Sequence, residues 1–94
     1  MIILNNTVPD TSSNASGKLL YELVVSNMDD RKISTIEIDS TMSLSSSFLN
    51  SSIGVIIETF GFEKFKHFVR IKASKSQFER LSKYVSDIMH LQEM

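Results

Sequence analysis

Apolar positions along the chain change their period several times, and each change marks an element. Ile2, Ile3 and Leu4 form a short apolar burst that predicts a first strand over residues 2–5. Through residues 7–16 nothing apolar recurs; Pro9, Asp10, Asn14 and a cluster of Ser and Thr read as a loop. From Gly17 the period becomes helical: Leu19, Leu20, Leu23 and Val24 share a stripe that Tyr21 and Val25 widen, with Ser16 or Asn14 as the cap. That helix is expected to end near Asn27, ahead of the charged turn Asp29-Asp30-Arg31-Lys32. Residues 33–39 turn to period two, with Ile36 and Ile38 alternating against Glu37 and Asp39, a strand with one wetter face. After a connection over residues 40–44, Phe48, Leu49, Ile53, Ile56, Ile57 and Phe60 make a wide helical stripe that Gly61 stops. Gly54 inside it is expected to allow a neighbour to come close.

The remainder follows the same alternation. Residues 62–67 form a helical turn, and residues 68–73 a strand with Val69 and Ile71 on one side and Arg70 and Lys72 on the other. Ser76-Gln77-Phe78-Glu79 reads as a capping box, hydroxyl to one free N–H and carboxylate back to another. Phe78, Leu81, Val85, Ile88 and Met89 then line a buried helix face, while Arg80, Lys83 and Asp87 face water; fraying is expected from His90. The order βαβαβα predicts an α/β fold with a small parallel or mixed sheet and helices packed mainly on one face. With 94 residues the chain makes a single domain, residues 1–16 supplying a strand and loop and residues 17–90 the core.

Composition narrows the classes. There is no cysteine, so no disulfide or thiolate chemistry is available. The apolar start is too short and lacks the basic flank of a signal peptide, and no segment is long enough to span a bilayer, so a cytoplasmic protein is expected. Charge is uneven. Lys64, Lys66, Arg70, Lys72, Lys75, Arg80 and Lys83 face only Glu63 and Glu79 within residues 61–83, whereas residues 1–60 are acidic. A solvated basic face is one reading; a small nucleic-acid-binding domain using the basic 64–83 region is the alternative, and a structural homo-oligomer a third. Phe60, Phe62, Phe65, Phe68 and Phe78 sit at core positions and not as a stacking platform.

Catalytic and metal chemistry find little to work with. His67 and His90 lie in different elements without partners, and neither paired ligands, a nucleophile elbow nor a glycine-rich phosphate loop is present. A non-enzymatic module without catalytic residues, metal or cofactor is the expectation.

The stretch SLSSSFLNSSIG, residues 43–54, carries the most information. A strand ending in Ile38-Asp39 leads through a short loop into serines at the start of a helix, and in open α/β sheets ligands and switches gather at the carboxyl ends of strands. Serines are good helix starters, so Ser45–Ser47 have a plain capping role. A phosphate on Ser46 or Ser47 would also be tolerated there and would change how a partner reads the surface.

The segment IEIDSTMSLSSSFLNSSIGVIIETFG, residues 36–61, resembles the STAS domains of bacterial anti-anti-sigma factors. It is closer still to a small STAS-like family of unknown function, whose members carry an ISSSF-type motif after an apolar strand ending in Asp. The resemblance covers about residues 17–86 and rests on Asp39, Ser45-Ser46-Ser47-Phe48, Gly61 and EKFKHFVRIK at residues 63–72. In regulatory STAS proteins an Asp-Ser-Ser-Gly motif opens the corresponding helix, and a histidine-kinase-like ATPase phosphorylates its second serine. Matched by motif, Ser47 is the implied acceptor and Ser46 the second candidate; Ser45 stands in place of the aspartate and Phe48 in place of the glycine. The resemblance implies a signalling or regulatory protein-interaction module that docks a protein partner of the histidine-kinase-like ATPase kind through Asp39, Ser40, Ser45, Phe48, Asn50 and Ser51. Phe48 is expected either to close the helix mouth or to act as a docking knob.

Overall fold

The computed structural model describes residues 1–92, and over them one short helix is added to the alternation that the pattern predicts and one predicted helix is divided in two. The order is β1 (Ile2–Ile3), α1 (Leu4–Thr7), α2 (Asn14–Asp29), β2 (Ser34–Glu37), α3 (Ser46–Ser51), α4 (Ile53–Phe60), α5 (Phe62–Phe68), β3 (Val69–Lys72) and α6 (Lys75–Gln92). The chain is thus a small α/β domain whose strands pair in parallel in the order β1-β2-β3.

Register follows from the two faces of the sheet. Ile2, Ile36 and Ile71 stand side by side on one face together with Ser34 and Val69. Ile3, Glu37 and Lys72 stand on the other, with Thr35 beside Arg70. The first set is buried or half-buried and the second is mostly exposed, because a one-residue slip would move every apolar side chain of a strand into water. Ile38 N–H extends the pairing by donating to Lys72 O at 2.9 Å. The core on the covered face holds Leu4, Leu20, Val24, Ile36, Phe48, Leu49, Ile56 and Ile57.

The first strand ends at Ile3, earlier than the apolar burst suggests, because buried Leu4 already belongs to a helical turn closed by Val8 N–H to Leu4 O at 3.0 Å. The cap of α2 is Ser13 and neither Ser16 nor Asn14: its hydroxyl accepts from Ser16 N–H at 3.2 Å. Asp10 secures that turn by accepting from the N–H groups of Ser12 and Ser13, each at 2.9 Å. These bonds, that from Ser12 first, hold the Asp10 carboxyl below its ordinary range.

The stripe of α2 also differs from the one the large side chains suggest. Leu19 and Leu23 are 45% and 42% exposed, and the buried line runs through Ser16, Gly17, Leu20 and Val24. The reason is the approach of α3. A Cβ at Gly17 would lie 1.9 Å from Ser51 Oγ and 2.6 Å from Phe48 O, so only a residue without a side chain permits this contact. Ser16 and Gly17, and not Leu19 and Leu23, therefore join Leu20 and Val24 on the packed face.

The predicted single helix after the serines is two. At Ser52 the backbone leaves helical angles (φ −119°, ψ −85°), and the buried Ser52 hydroxyl donates to Phe48 O at 2.7 Å. Gly61, with φ 89°, ends α4 and starts α5 at the position the sequence marks as a stop, in a region of backbone space that other residues avoid. Gly54 does lie at a close approach, 2.6 Å from Tyr84 Oη to its would-be Cβ.

The capping box of α6 is displaced by two residues from Ser76-x-x-Glu79. Ser74 N–H donates to Gln77 Oε1 at 2.9 Å, and Gln77 N–H donates to Ser74 Oγ at 3.3 Å, the reciprocal pair of a Ser-x-x-Gln box. Phe78, expected in the core, is 50% exposed; Leu81 is buried, and Val85, Ile88 and Met89 are half-buried. The helix runs through His90 to Gln92.

Candidate functional site: the strand-to-helix rim

The connection from β2 to α3 is a polar loop whose carbonyls point away from any strand or helix ladder. Such groups need partners, because an unpaired buried carbonyl costs free energy comparable to a lost hydrogen bond. The chain supplies them from two distant places. Gln77, 6% exposed, donates through Nε2 to Asp39 O at 2.7 Å and to Met42 O at 2.8 Å. Arg80 donates through Nε to Leu44 O at 3.3 Å. From the opposite side Thr11 Oγ1 donates to Ser43 O, and Ser45 N–H donates to Thr11 O at 3.1 Å.

Within the loop, Asp39 folds the chain locally. Its carboxylate accepts from Thr41 Oγ1 at 2.6 Å and from Thr41 N–H at 2.8 Å, while its carbonyl accepts from Met42 N–H at 3.0 Å. The Thr41 hydroxyl first, and the Thr41 amide second, hold the exposed Asp39 carboxyl below its ordinary value. An ionised Asp39 therefore sits at the head of the loop.

The serines then divide by role. Ser45 caps α3, its hydroxyl accepting from Phe48 N–H at 3.1 Å. Ser46 and Ser47 are exposed on the first turn of α3, and Asp39, Ser40 and Asn50 are exposed as well. Arg80 Nη2 donates to Ser46 Oγ at 3.1 Å, so this arginine does not simply face water as the α6 pattern suggests. A shallow hollow of about 330 Å³ opens between the loop and α6, lined by Ser40, Met42, Ser43, Ser76, Gln77 and Arg80 among others.

Two of the expected partner contacts change. Phe48 is 1% exposed and belongs to the core, so it is no docking knob. A phenylalanine at that position is drawn inward because α3 and α4 must bury an apolar face against α2. Ser51 is half-buried, packed against Gly17, and its hydroxyl turns back to donate to Ser47 O at 2.8 Å and Phe48 O at 3.2 Å. Asn50 is engaged from α6: Tyr84 Oη donates to Asn50 Oδ1. Partial burial, and secondarily the nearby charge of Glu58, push the Tyr84 phenol above its ordinary pKa.

Sequence reasoning finds the serines and Asp39 but misses Gln77, Arg80 and Thr11. A signal for Gln77 exists, since Ser74-Lys75-Ser76-Gln77 is itself a capping-box pattern overlapping the one that ends at Glu79. No local signal ties Arg80 or Thr11 to the loop. His67 and His90 are exposed on α5 and α6, away from the rim. No helix among the described residues is long and apolar enough to cross a membrane.

No match was found among curated proteins or among solved structures. Family comparison did find one, over residues 16–77, from the start of α2 to the glutamine that holds the loop. The three parallel strands, the helices between them and the serine-rich strand-to-helix junction agree with that match, and the chain belongs to the STAS-like domains of unknown function, DUF4325.

Proposed function

We propose that this STAS-like domain is a non-enzymatic regulatory module that docks a partner protein through the rim of Asp39, Ser40, Ser46, Ser47 and Asn50. In this reading the partner is a histidine-kinase-like ATPase, and a phosphate on Ser46 or Ser47 breaks the contact.

The observation that carries the reading is the pair of exposed serines on a braced rim, with the Arg80 guanidinium 3.1 Å from Ser46 Oγ. A phosphate on Ser46 would meet a cation already in place, a charge-assisted contact stronger than a neutral one. A phosphate on Ser47 would stand one residue along, on the outer surface of the same turn. Either adds nearly two negative charges to a docking face without entering the core. The motif names Ser47 first; the position of Arg80 favours Ser46 as much.

The test is direct. The purified domain is incubated with ATP and a histidine-kinase-like ATPase from the same source, and intact mass and site mapping follow the product. One added phosphate, lost in Ser46→Ala or Ser47→Ala, is the expected result, together with weaker docking of the phosphorylated form. An ATPase that neither binds nor phosphorylates the domain would sink this reading. The nucleic-acid alternative draws support from the exposure of Lys64, Lys66, Arg70, Lys72, Lys75 and Lys83, but Arg80 is spent on the loop and Phe65 is buried. Steeply salt-dependent retention on an oligonucleotide would be its signature.

A further inference from the structure

The sheet ends abruptly at β3. Among the described residues β3 pairs only with β2, so its outer backbone edge carries no strand. On the covered face next to that edge, α5 and α6 leave a hollow between them. Between them lies an apolar groove of about 530 Å³ lined by Phe62, Phe65, Ile71, Phe78, Leu81 and Met89. A second hollow continues it over Val69 and Arg70, so the depression follows the strand. Phe78, 50% exposed, forms part of both.

We propose that this edge and groove bind an extended segment of a partner protein in which apolar and acidic residues alternate. The proposal stands apart from the serine rim and does not rest on it.

The fold itself contains the template. The inner edge of β3 accepts β2, where Thr35, Ile36 and Glu37 lie beside Arg70, Ile71 and Lys72. Ile36-Glu37-Ile38-Asp39 alternates apolar with acidic residues, so that apolar groups enter the core and Glu37 stands next to Lys72. A strand on the outer edge meets the same β3 side chains from the other side. Its inward residues reach the groove, and its outward residues stand beside Arg70 and Lys72, where opposite charge is favourable and like charge is not. Main-chain hydrogen bonds supply affinity and the groove supplies side-chain selection, as in other cases of strand addition.

Charge also argues against a second copy as the occupant. Edge-to-edge pairing of two β3 strands would bring Arg70 and Lys72 against the same residues of the other chain, the arrangement by which sheet edges resist self-association.

The probe is a capped, fluorescent peptide copying residues 33–40, titrated onto the intact protein, with backbone amides followed by NMR. Expected are binding, amide shifts along residues 69–72 and near Phe62 and Phe78, and unchanged protection of β2. Arg70→Glu with Lys72→Glu should weaken it about tenfold. A peptide with Lys in place of its acidic residues should recover that loss. Phe78→Asp, at an exposed position, should abolish binding while leaving the far-UV spectrum and melting temperature near wild type. Several results overturn the proposal: no binding at millimolar peptide by folded protein, indifference to charge reversal, shifts confined to β1 and β2 as the peptide displaces the native strand, self-association through β3 in sedimentation, or an oligonucleotide that binds the groove in the peptide's place.

Discussion

Replacing Gln77 by glutamate tests the brace of the rim, because the two side chains have the same shape and differ only at the atom that matters. The wild-type amide is 6% exposed and acts in both directions. Its oxygen accepts from Ser74 N–H at 2.9 Å, and its nitrogen donates to Asp39 O at 2.7 Å and Met42 O at 2.8 Å. In Gln77→Glu the cap survives, but two donated bonds vanish and an anionic oxygen faces two carbonyls. Two lost bonds at about 1 kcal/mol each, with Met42 O left unpaired and an anion set against it and against Asp39 O, which keeps only Met42 N–H, give a cost of about 3–5 kcal/mol at neutral pH. That is a large share of the roughly 5–15 kcal/mol that stabilises a small domain. Gln77→Met loses these two bonds and the Ser74 cap bond without introducing charge and should cost about 3 kcal/mol. The glutamate cost depends on pH. Burial against carbonyls raises the folded-state pKa of the introduced carboxyl above its unfolded value of about 4.3. The deficit is therefore full above the raised value and shrinks as pH falls toward the unfolded one, where a protonated carboxyl can donate to one carbonyl. Urea denaturation at several pH values measures this, and hydrogen exchange at residues 39–45 reports whether the loop loosens first. A glutamate variant as stable as wild type at neutral pH, or one matching the methionine variant at every pH, would refute the two-way role of the amide.

Two further predictions test the packing behind the rim and the turn at its head. Gly17→Ala should destabilise the domain by about 1–3 kcal/mol in spite of its gain in helix propensity, because the new methyl meets Phe48 O at 2.6 Å and backbone cannot step aside; Gly54→Ala should cost less, because the group it meets is the far end of the Tyr84 side chain, which can shift at the expense of its bond to Asn50. Equal melting temperatures for the two variants would remove the α2–α3 contact as an explanation. Thr41→Val deletes the hydroxyl that does most to lower the Asp39 pKa, so the Asp39 titration midpoint, followed by carboxyl NMR, should move up toward the ordinary aspartate value. Because the wild-type shift is downward, its contribution to stability is present above the unfolded pKa and fades as pH falls through the folded one; Thr41→Val should flatten that acid-side slope.

What the sequence discloses is decided by how locally each element is determined. Strand alternation at Ile36-Glu37-Ile38-Asp39 and at Val69-Arg70-Ile71-Lys72 is legible because a sheet with one wetted face writes a period of two into the chain itself. Gly61 is legible for the same reason: a positive φ between two helices asks for glycine whatever lies nearby. Leu19 and Leu23 mislead because periodicity weighs side chains by apolarity, whereas the closest helix contact selects for smallness, and Gly17 with Ser16 wins. The α6 box misleads because two overlapping Ser-x-x-acid/amide patterns satisfy the same local rule. Only the loop carbonyls, some 35 residues earlier in the chain, favour the register that buries a glutamine. At the rim, Ser46 and Ser47 are legible as exposed hydroxyls at a helix start, but the arginine beside Ser46 comes from α6 and leaves no mark near the serines.

The division of labour between Gln77 and Arg80 follows from desolvation. Both hold carbonyls of the same loop, and both come from the first two turns of α6. Burying a charge costs far more than burying a hydrogen-bonded amide, so the neutral side chain takes the enclosed position and the guanidinium the half-open one. That ordering leaves a positive group at the surface beside Ser46, oriented by its bond to Leu44 O and not free to swing away without leaving that carbonyl unpaired. The loop therefore fixes the arginine as much as the arginine fixes the loop, and an anion arriving on the serines meets a cation whose ordering cost has already been met by the fold.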